Sequence, residues 1–273
     1  MRTIEMPTAG IRYTDTGGRG PLVVLTHGAG MDHTMWRAQA EALEASGLRV
    51  IQWDLRGHGD SVMRPGTRFT AADALDDLSE LLDAAGSTST VLVGHSLGGN
   101  LVQEFTRRYP TAVDGLIVLD STWNQGPLNA AERLALRSAA PLLGLVPARR
   151  LPALMARASA VTPAAIEQTR AAFARMPKQT FLDVWRATAS LIEPDASYRT
   201  PIPLALIRGA EDRTGNIAVA MRRWAEAEGV EAEVIPDAGH IVTLDAPDAT
   251  SRAILRTLEM WGHTAAADAG ASS

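Results

Sequence analysis

The chain has 273 residues, of which 46% are hydrophobic and 21% charged, enough for one large α/β domain or two small ones. Its formal net charge is −5 and its arginines are scattered singly or in pairs such as Arg107–Arg108, Arg149–Arg150 and Arg222–Arg223, so no nucleic-acid partner is expected. The lack of cysteine excludes disulfides, thiolate catalysis and zinc–thiolate sites. The opening MRTIEMPTAG lacks the charged start and apolar run of a signal peptide. No stretch approaches the roughly 18 consecutive apolar residues of a membrane span. The expectation is a cytoplasmic protein with no membrane partner.

In chain order, Thr3–Met6 and Ile11–Thr14 predict a hairpin around Thr8-Ala9-Gly10. Leu22–Leu25 is a continuous apolar run, as in a parallel strand covered on both faces. Thr34–Ala45 has helical spacing and stops near Gly47; Arg49–Trp53 is a strand, Ala71–Ala84 a helix and Thr90–Val93 a strand. Leu97–Tyr109 is a helix halted by Pro110, and Leu116–Leu119 a further buried strand. This alternation predicts a parallel sheet with helices on both faces. Residues 121 to about 200 hold no convincing strand. Helical stretches Ala130–Ala139, Pro163–Arg175 and Thr180–Leu191 are punctuated there by Pro127, Pro141, Pro147, Pro152 and Pro194. The alternation resumes with strand Leu204–Arg208, helix Ile217–Glu228, strand Glu231–Ile235 and helix Ala249–Trp261. The expected organisation is a core of residues 1–120 and 200–262, a helical cap of residues 121–199, and a frayed tail of residues 263–273.

The chemistry centres on Gly94-His95-Ser96-Leu97-Gly98, where an apolar strand gives way to a helix. That is the context of a G-x-S-x-G elbow, which holds a serine hydroxyl above the sheet edge beside the positive end of the helix. A serine needs a positioned base. Of the six histidines, His240 lies in a turn between a strand and the last helix, from which imidazole could reach Ser96. His95 is expected to pack, His27 to organise its loop, His58 to occupy a turn, and His33 to line the pocket or the surface; His263 is given no role. Asp212 follows Leu204–Arg208 through a turn and falls between Ser96 and His240, in the chain order Ser…Asp…His. Glu211 next to it and Asp120 at the end of Leu116–Leu119 are competing acids, with Asp212 preferred. Asp54 is expected to anchor its loop by pairing with Arg56. An oxyanion would need backbone donors already in place; Leu97 and Ala29 (the latter preferred over Gly30) are the candidates.

These segments are similar to those of the α/β-hydrolase superfamily, in its capped serine-hydrolase branch of esterases and haloperoxidase-like hydrolases. The resemblance rests on His27-Gly28-Ala29-Gly30, on Asp54-Leu55-Arg56-Gly57-His58-Gly59-Asp60-Ser61, on the elbow with Gly99, on Gly209-Ala210-Glu211-Asp212, and on Gly239-His240 before Ala246-Pro247. It implies a mostly parallel eight-stranded sheet with a helical cap inserted after the sixth strand. Epoxide hydrolases and haloalkane dehalogenases carry aspartate at the elbow, where this chain has Ser96. Hydroxynitrile lyases use a lysine, and the sole lysine, Lys178, falls in the cap region. The expected activity is acyl-enzyme hydrolysis of a small, moderately hydrophobic ester or lactone, with no metal or cofactor. Met31, Trp36, Trp123, Phe181 and Trp185 are the expected pocket rim, Trp123 foremost. Two other outcomes stay open: a C–C bond hydrolase, thioesterase or biosynthetic cyclase with the same triad, and a non-enzymatic ligand sensor on the same scaffold. Nothing in the sequence fixes an oligomeric state.

Overall fold

The computed structural model describes residues 1–263, so all but the first residue of the expected tail lies outside the described residues. The predicted hairpin forms from β1 (Arg2–Glu5) and β2 (Ala9–Asp15). There follow β3 (Leu22–Thr26), β4 (Arg49–Trp53), β5 (Val62–Met63), β6 (Thr90–His95), β7 (Gly115–Leu119), β8 (Leu204–Gly209) and β9 (Ala232–Ile235). Eight of them run in the order β1-β2-β4-β3-β6-β7-β8-β9, parallel from β4 to β9, the mostly parallel eight-stranded sheet that was expected. The two-residue β5 is a ninth strand, antiparallel to the start of β2.

Every residue of β3, β6 and β7 is buried, which explains why their sequences are unbroken apolar runs rather than alternating ones. The covering helices are α1 (Arg37–Ala45), α2 (Ala71–Ala85) and α3 (Leu97–Arg108) from the first half of the chain. Two apolar clusters result, one on each face of the sheet. Helix α2 starts where the Thr70 hydroxyl accepts from the Asp73 amide and ends at the left-handed Gly86, the arrangement that satisfies both sets of orphan backbone groups. Strand register decides what meets at the rim. Thr26 lies beside Gly94, His95 beside Leu119, and Leu119 beside Ile207. The loops after β3, β6, β7 and β8 therefore gather at one edge.

Between β7 and β8 lie α4 (Ala130–Leu145), α5 (Leu151–Ser159), α6 (Pro163–Arg175) and α7 (Lys178–Ser190). The sequence predicts three helices here, and two differences have physical causes. Helix α4 runs through Pro141 rather than stopping before it, anchored at its start by a reciprocal capping box between Asn129 and Glu132. Helix α5 was hidden by Pro152, which sits in its first turn, where a missing N–H costs nothing. Lys178 Nζ donates to the Gly144 and Val146 carbonyls (2.6 and 2.7 Å) and so holds the end of α4. After β8 come α8 (Ile217–Glu228), the four-residue α9 (Val242–Asp245) and α10 (Pro247–Met260).

Candidate active site

The elbow at the end of β6 has the strained geometry its sequence demands. Ser96 adopts φ 53° and ψ −119°, a conformation that an L-residue keeps only when its surroundings enforce it. Two glycines allow the turn. A Cβ on Gly94 would come within 2.5 Å of the Gly98 carbonyl oxygen, and one on Gly98 would strike the carbonyls of Thr26 and His27. Ser96 is partly exposed in a buried neighbourhood, and α3 begins directly after it. The amides of Leu97 and Ala29 make no hydrogen bond among the described residues, leaving two donors spare beside Ser96.

His240 and Asp212 arrive from the loops after β9 and β8. His240 Nε2 lies 3.0 Å from Ser96 Oγ, and His240 Nδ1–H donates to Asp212 Oδ2 at 3.0 Å. Asp212 also accepts the Thr214 amide at 2.8 Å. Burial opposes ionisation of Asp212, but the facing His240 and the Thr214 amide outweigh it and hold the carboxyl down at about 2. It is therefore a carboxylate at neutral pH.

Asp120 reaches the same place from β7 but is differently engaged. It accepts the Gly209 amide at 2.8 Å through Oδ1, while Oδ2 has no donor within reach. Burial, followed by the neighbouring Asp212 carboxylate, drives its carboxyl well above the usual range. Two buried carboxyls this close do not readily ionise together, and burial favours the neutral form of Asp120. Glu211 is exposed. Asp120, Asp212 and His240 offer ligand atoms within 4.8 Å of one another. The Gly209 amide on Asp120 Oδ1 and the His240 Nδ1–H on Asp212 Oδ2 already engage one oxygen of each carboxyl.

His95 does more than pack. Its Nε2–H donates to the His240 carbonyl at 2.6 Å, and the two rings sit 4.9 Å apart. Burial, then His240, pushes its pKa down to about 3, so the ring stays neutral and fastens the loop that carries His240. Its adjacency to Ser96 was the only signal in the sequence. His27 organises its loop as expected, donating from Nδ1 to the Gly28 carbonyl and accepting the Leu55 amide at Nε2. His58 is a buried turn residue. The expected Asp54–Arg56 pair does not form. Asp54 instead accepts from the amide and Nδ1 of His33 (2.7 and 2.8 Å) and from the Asp60 amide. Arg56 turns the other way, onto Asp77 (2.6 and 2.7 Å). Thus His33 belongs to a loop clamp and not to the pocket wall.

Above Ser96 lies a cavity of about 600 Å³, walled by α4–α7 and by the start of α8. Phe181 and Trp185 line it, as the sequence leads one to expect. Met31, Trp36 and Trp123 do not. Met31 and Trp36 are fully enclosed in the core, and Trp123 stacks flat on Trp224 with centroids 6.2 Å apart. Packing corrects all three rim expectations: Trp123 belongs to one apolar core cluster, and Met31 and Trp36 to the other. Phe173, Met155 and Ile241, unremarked in the sequence, take their place in the wall.

Sequence comparison finds an uncharacterized protein of Mycobacterium tuberculosis that is 34% identical over 118 residues, a match covering 43% of this chain and 34% of that one. The chain thus spans about a third of the length of that relative. A protein of Caulobacter sp. (strain K31) named "Putative carbamate hydrolase RutD" is 29% identical over 252 residues, covering 86% of this chain and 90% of its own. Among solved structures, a thermophilic esterase from Thermogutta terrifontis superposes with a TM-score of 0.80 at 28% identity, covering 97% of this chain and all of that one. A family model described as "Alpha/beta hydrolase family" matches residues 23–253, most of the chain, and with that extent of match, on this sheet, the chain belongs to the alpha/beta hydrolase family.

Proposed function

We propose that this hydrolase is a serine esterase that cleaves a carboxylic ester or lactone of a small, moderately hydrophobic compound through an acyl-enzyme. The observation that carries the reading is the unbroken chain of hydrogen bonds from Ser96 through His240 to Asp212, opening into an apolar cavity. Ser96 Oγ attacks the carbonyl carbon while His240 Nε2 accepts its proton. The oxyanion is held by the spare amides of Leu97 and Ala29. His240 then protonates the departing alkoxide, and a water, deprotonated by the same ring, releases the acid and restores the serine. Asp212 keeps the imidazole proton on Nδ1 and offsets the imidazolium charge. Helices α4–α7 act as the cap that excludes bulk water from this sequence.

An uncharged substrate fits the wall. Among the described residues the one charged residue lining the cavity, Glu132, is already engaged by Asn216 at 3.0 Å, and none of the insertion's arginines reaches the lining. At about 600 Å³ the cavity is within the ordinary range of small-molecule sites. The test is fluorophosphonate labelling with peptide mapping, alongside turnover of p-nitrophenyl esters and an aryl carbamate. The expected result is one adduct, on Ser96, with ester preferred to carbamate. Ser96→Ala and His240→Ala should each lower kcat by a factor on the order of 10⁶ without unfolding the protein. Wild-type turnover in either variant, or labelling at another residue, overturns the assignment.

A further inference from the structure

Helix α4 has two faces of different character, and only the inner one is accounted for by the cavity. Ala135, Leu136 and Ala139 line it. On the outer side Leu134, Leu142 and Leu145 are 67%, 61% and 81% exposed. At about 100° per residue the three fall within roughly 80° of arc, so they form one stripe along the helix. Leu154, the remaining large exposed leucine among the described residues, lies just beyond on α5. Elsewhere the exposed large apolar side chains are single residues on separate elements, which need no explanation.

The charge around the stripe is as one-sided as the apolar residues. Residues 126–160 contain five arginines, Arg133, Arg137, Arg149, Arg150 and Arg157, and one acidic residue, Glu132. All five arginines are exposed, and none has a carboxylate partner among the described residues. Glu132 faces the other way, toward Asn216 and Arg223. A strongly basic, leucine-bearing surface thus stands on a protein whose formal net charge is −5. By contrast the arginines that tie the insertion to the sheet are paired, Arg68 with Asp183 and Arg175 with Asp60, each at 2.6 Å.

We infer that the outer face of α4 and the turn after it form a docking surface for an anionic phospholipid bilayer. Exposed leucines on α4, with unpaired arginines on α4, the turn after it and α5, supply the two groups a bilayer interface takes, apolar side chains for the acyl boundary and cations for the headgroups. A second copy of the chain is a poorer occupant, because two-fold pairing would bring like-charged faces together. The docked surface would lie one helix diameter, about 10–12 Å, from the cavity on the inner side of α4. The expectation of no membrane partner rests on the lack of spanning segments; no helix of the described residues is long and apolar enough to cross a membrane, and surface docking does not require one. The inference does not depend on the esterase reading, since binding can be measured without turnover.

The experiment is co-sedimentation of the full-length protein, wild type and Ser96→Ala, with phosphatidylcholine vesicles with and without phosphatidylglycerol. Both proteins should partition onto the phosphatidylglycerol vesicles and far less onto phosphatidylcholine alone, and added salt should weaken the binding. Arg137→Glu with Arg149→Glu should weaken partition by about 25-fold or more, at about fivefold per basic residue near the surface. Leu142→Ser with Leu145→Ser should abolish it, while both variants turn over a soluble ester at the wild-type rate. Failure of the wild type to bind anionic vesicles overturns the inference, as does equal binding to both compositions or binding unaffected by both variants. Light scattering supplies the rival outcome: a dimer in the wild type that the leucine variant splits would assign the face to a second copy and overturn it as well.

Discussion

The two buried carboxyls beside His240 make opposite predictions for the same substitution. In Asp212→Asn the amide nitrogen can donate to His240 Nδ1, which would move the ring proton to Nε2. An Nε2–H facing Ser96 at 3.0 Å cannot accept the hydroxyl proton. The expected loss in kcat is about 10⁴, or about 5.5 kcal/mol of transition-state stabilisation. Asp120→Asn replaces a carboxyl that already carries its proton. The amide oxygen can still accept the Gly209 N–H, and the amide, like the neutral carboxyl, places no charge beside Asp212. The loss should stay within about tenfold, or about 1.4 kcal/mol. Turnover of a p-nitrophenyl ester by the two variants, with circular dichroism to establish folding, separates them. A collapse in Asp120→Asn together with near-normal turnover in Asp212→Asn would refute the assignment and make Asp120 the acid. Stability against pH gives a second check. Asp212 titrates lower in the folded chain than in the unfolded one, so its contribution, on the order of 2 kcal/mol, is present above about pH 4 and lost as pH falls toward about 2. Asp120 is shifted the other way: the folded protein holds a proton that the unfolded chain releases, so its contribution declines as pH rises past 4. Asp120→Asn should flatten that decline and leave the neutral-pH melting temperature unchanged or higher.

Three further outcomes follow from the same geometry. Gly98→Ala places a Cβ against the carbonyl of Thr26 and within 2.6 Å of that of His27, and neither backbone group can give way easily. It should cost about 1–3 kcal/mol in a urea titration and reduce fluorophosphonate labelling of Ser96. His95→Phe keeps the ring but leaves the buried His240 carbonyl without its donor, which costs about 1–3 kcal/mol; kcat should fall while KM holds, and an unchanged kcat would dismiss His95 as an anchor of the loop. Trp185→Ala should enlarge the cavity and shift the preferred p-nitrophenyl ester toward longer acyl chains, read as a ratio of kcat/KM values; an unmoved ratio would place the acyl group elsewhere.

Much of the fold was legible because its signals are local. A strand covered on both faces must be apolar throughout, so Leu22–Thr26 and Gly115–Leu119 announce themselves. The elbow is legible for a similar reason: a serine at positive φ, wedged between strand and helix, needs glycine at positions 94 and 98 to avoid backbone collision. His240 and Asp212 could be read from chain order and from their places just after strands. The proline signals were ambiguous. Pro152 reads equally as the end of one helix or the first turn of the next, and only the capping and packing around α4 and α5 resolve which.

Sequence alone, then, determined which residues could carry the chemistry and on which edge of the sheet they would stand, since backbone sterics and strand burial operate over a few neighbours. Tertiary structure decided which of them meet and what state they are in. His95 finds its acceptor 145 residues away. Asp54 takes His33 in place of Arg56, and Trp123 turns its ring to Trp224 instead of the cavity. Whether Asp120 or Asp212 ionises depends on burial and on a neighbour's charge. Those are properties of the space around a side chain, and no spacing along the chain encodes them.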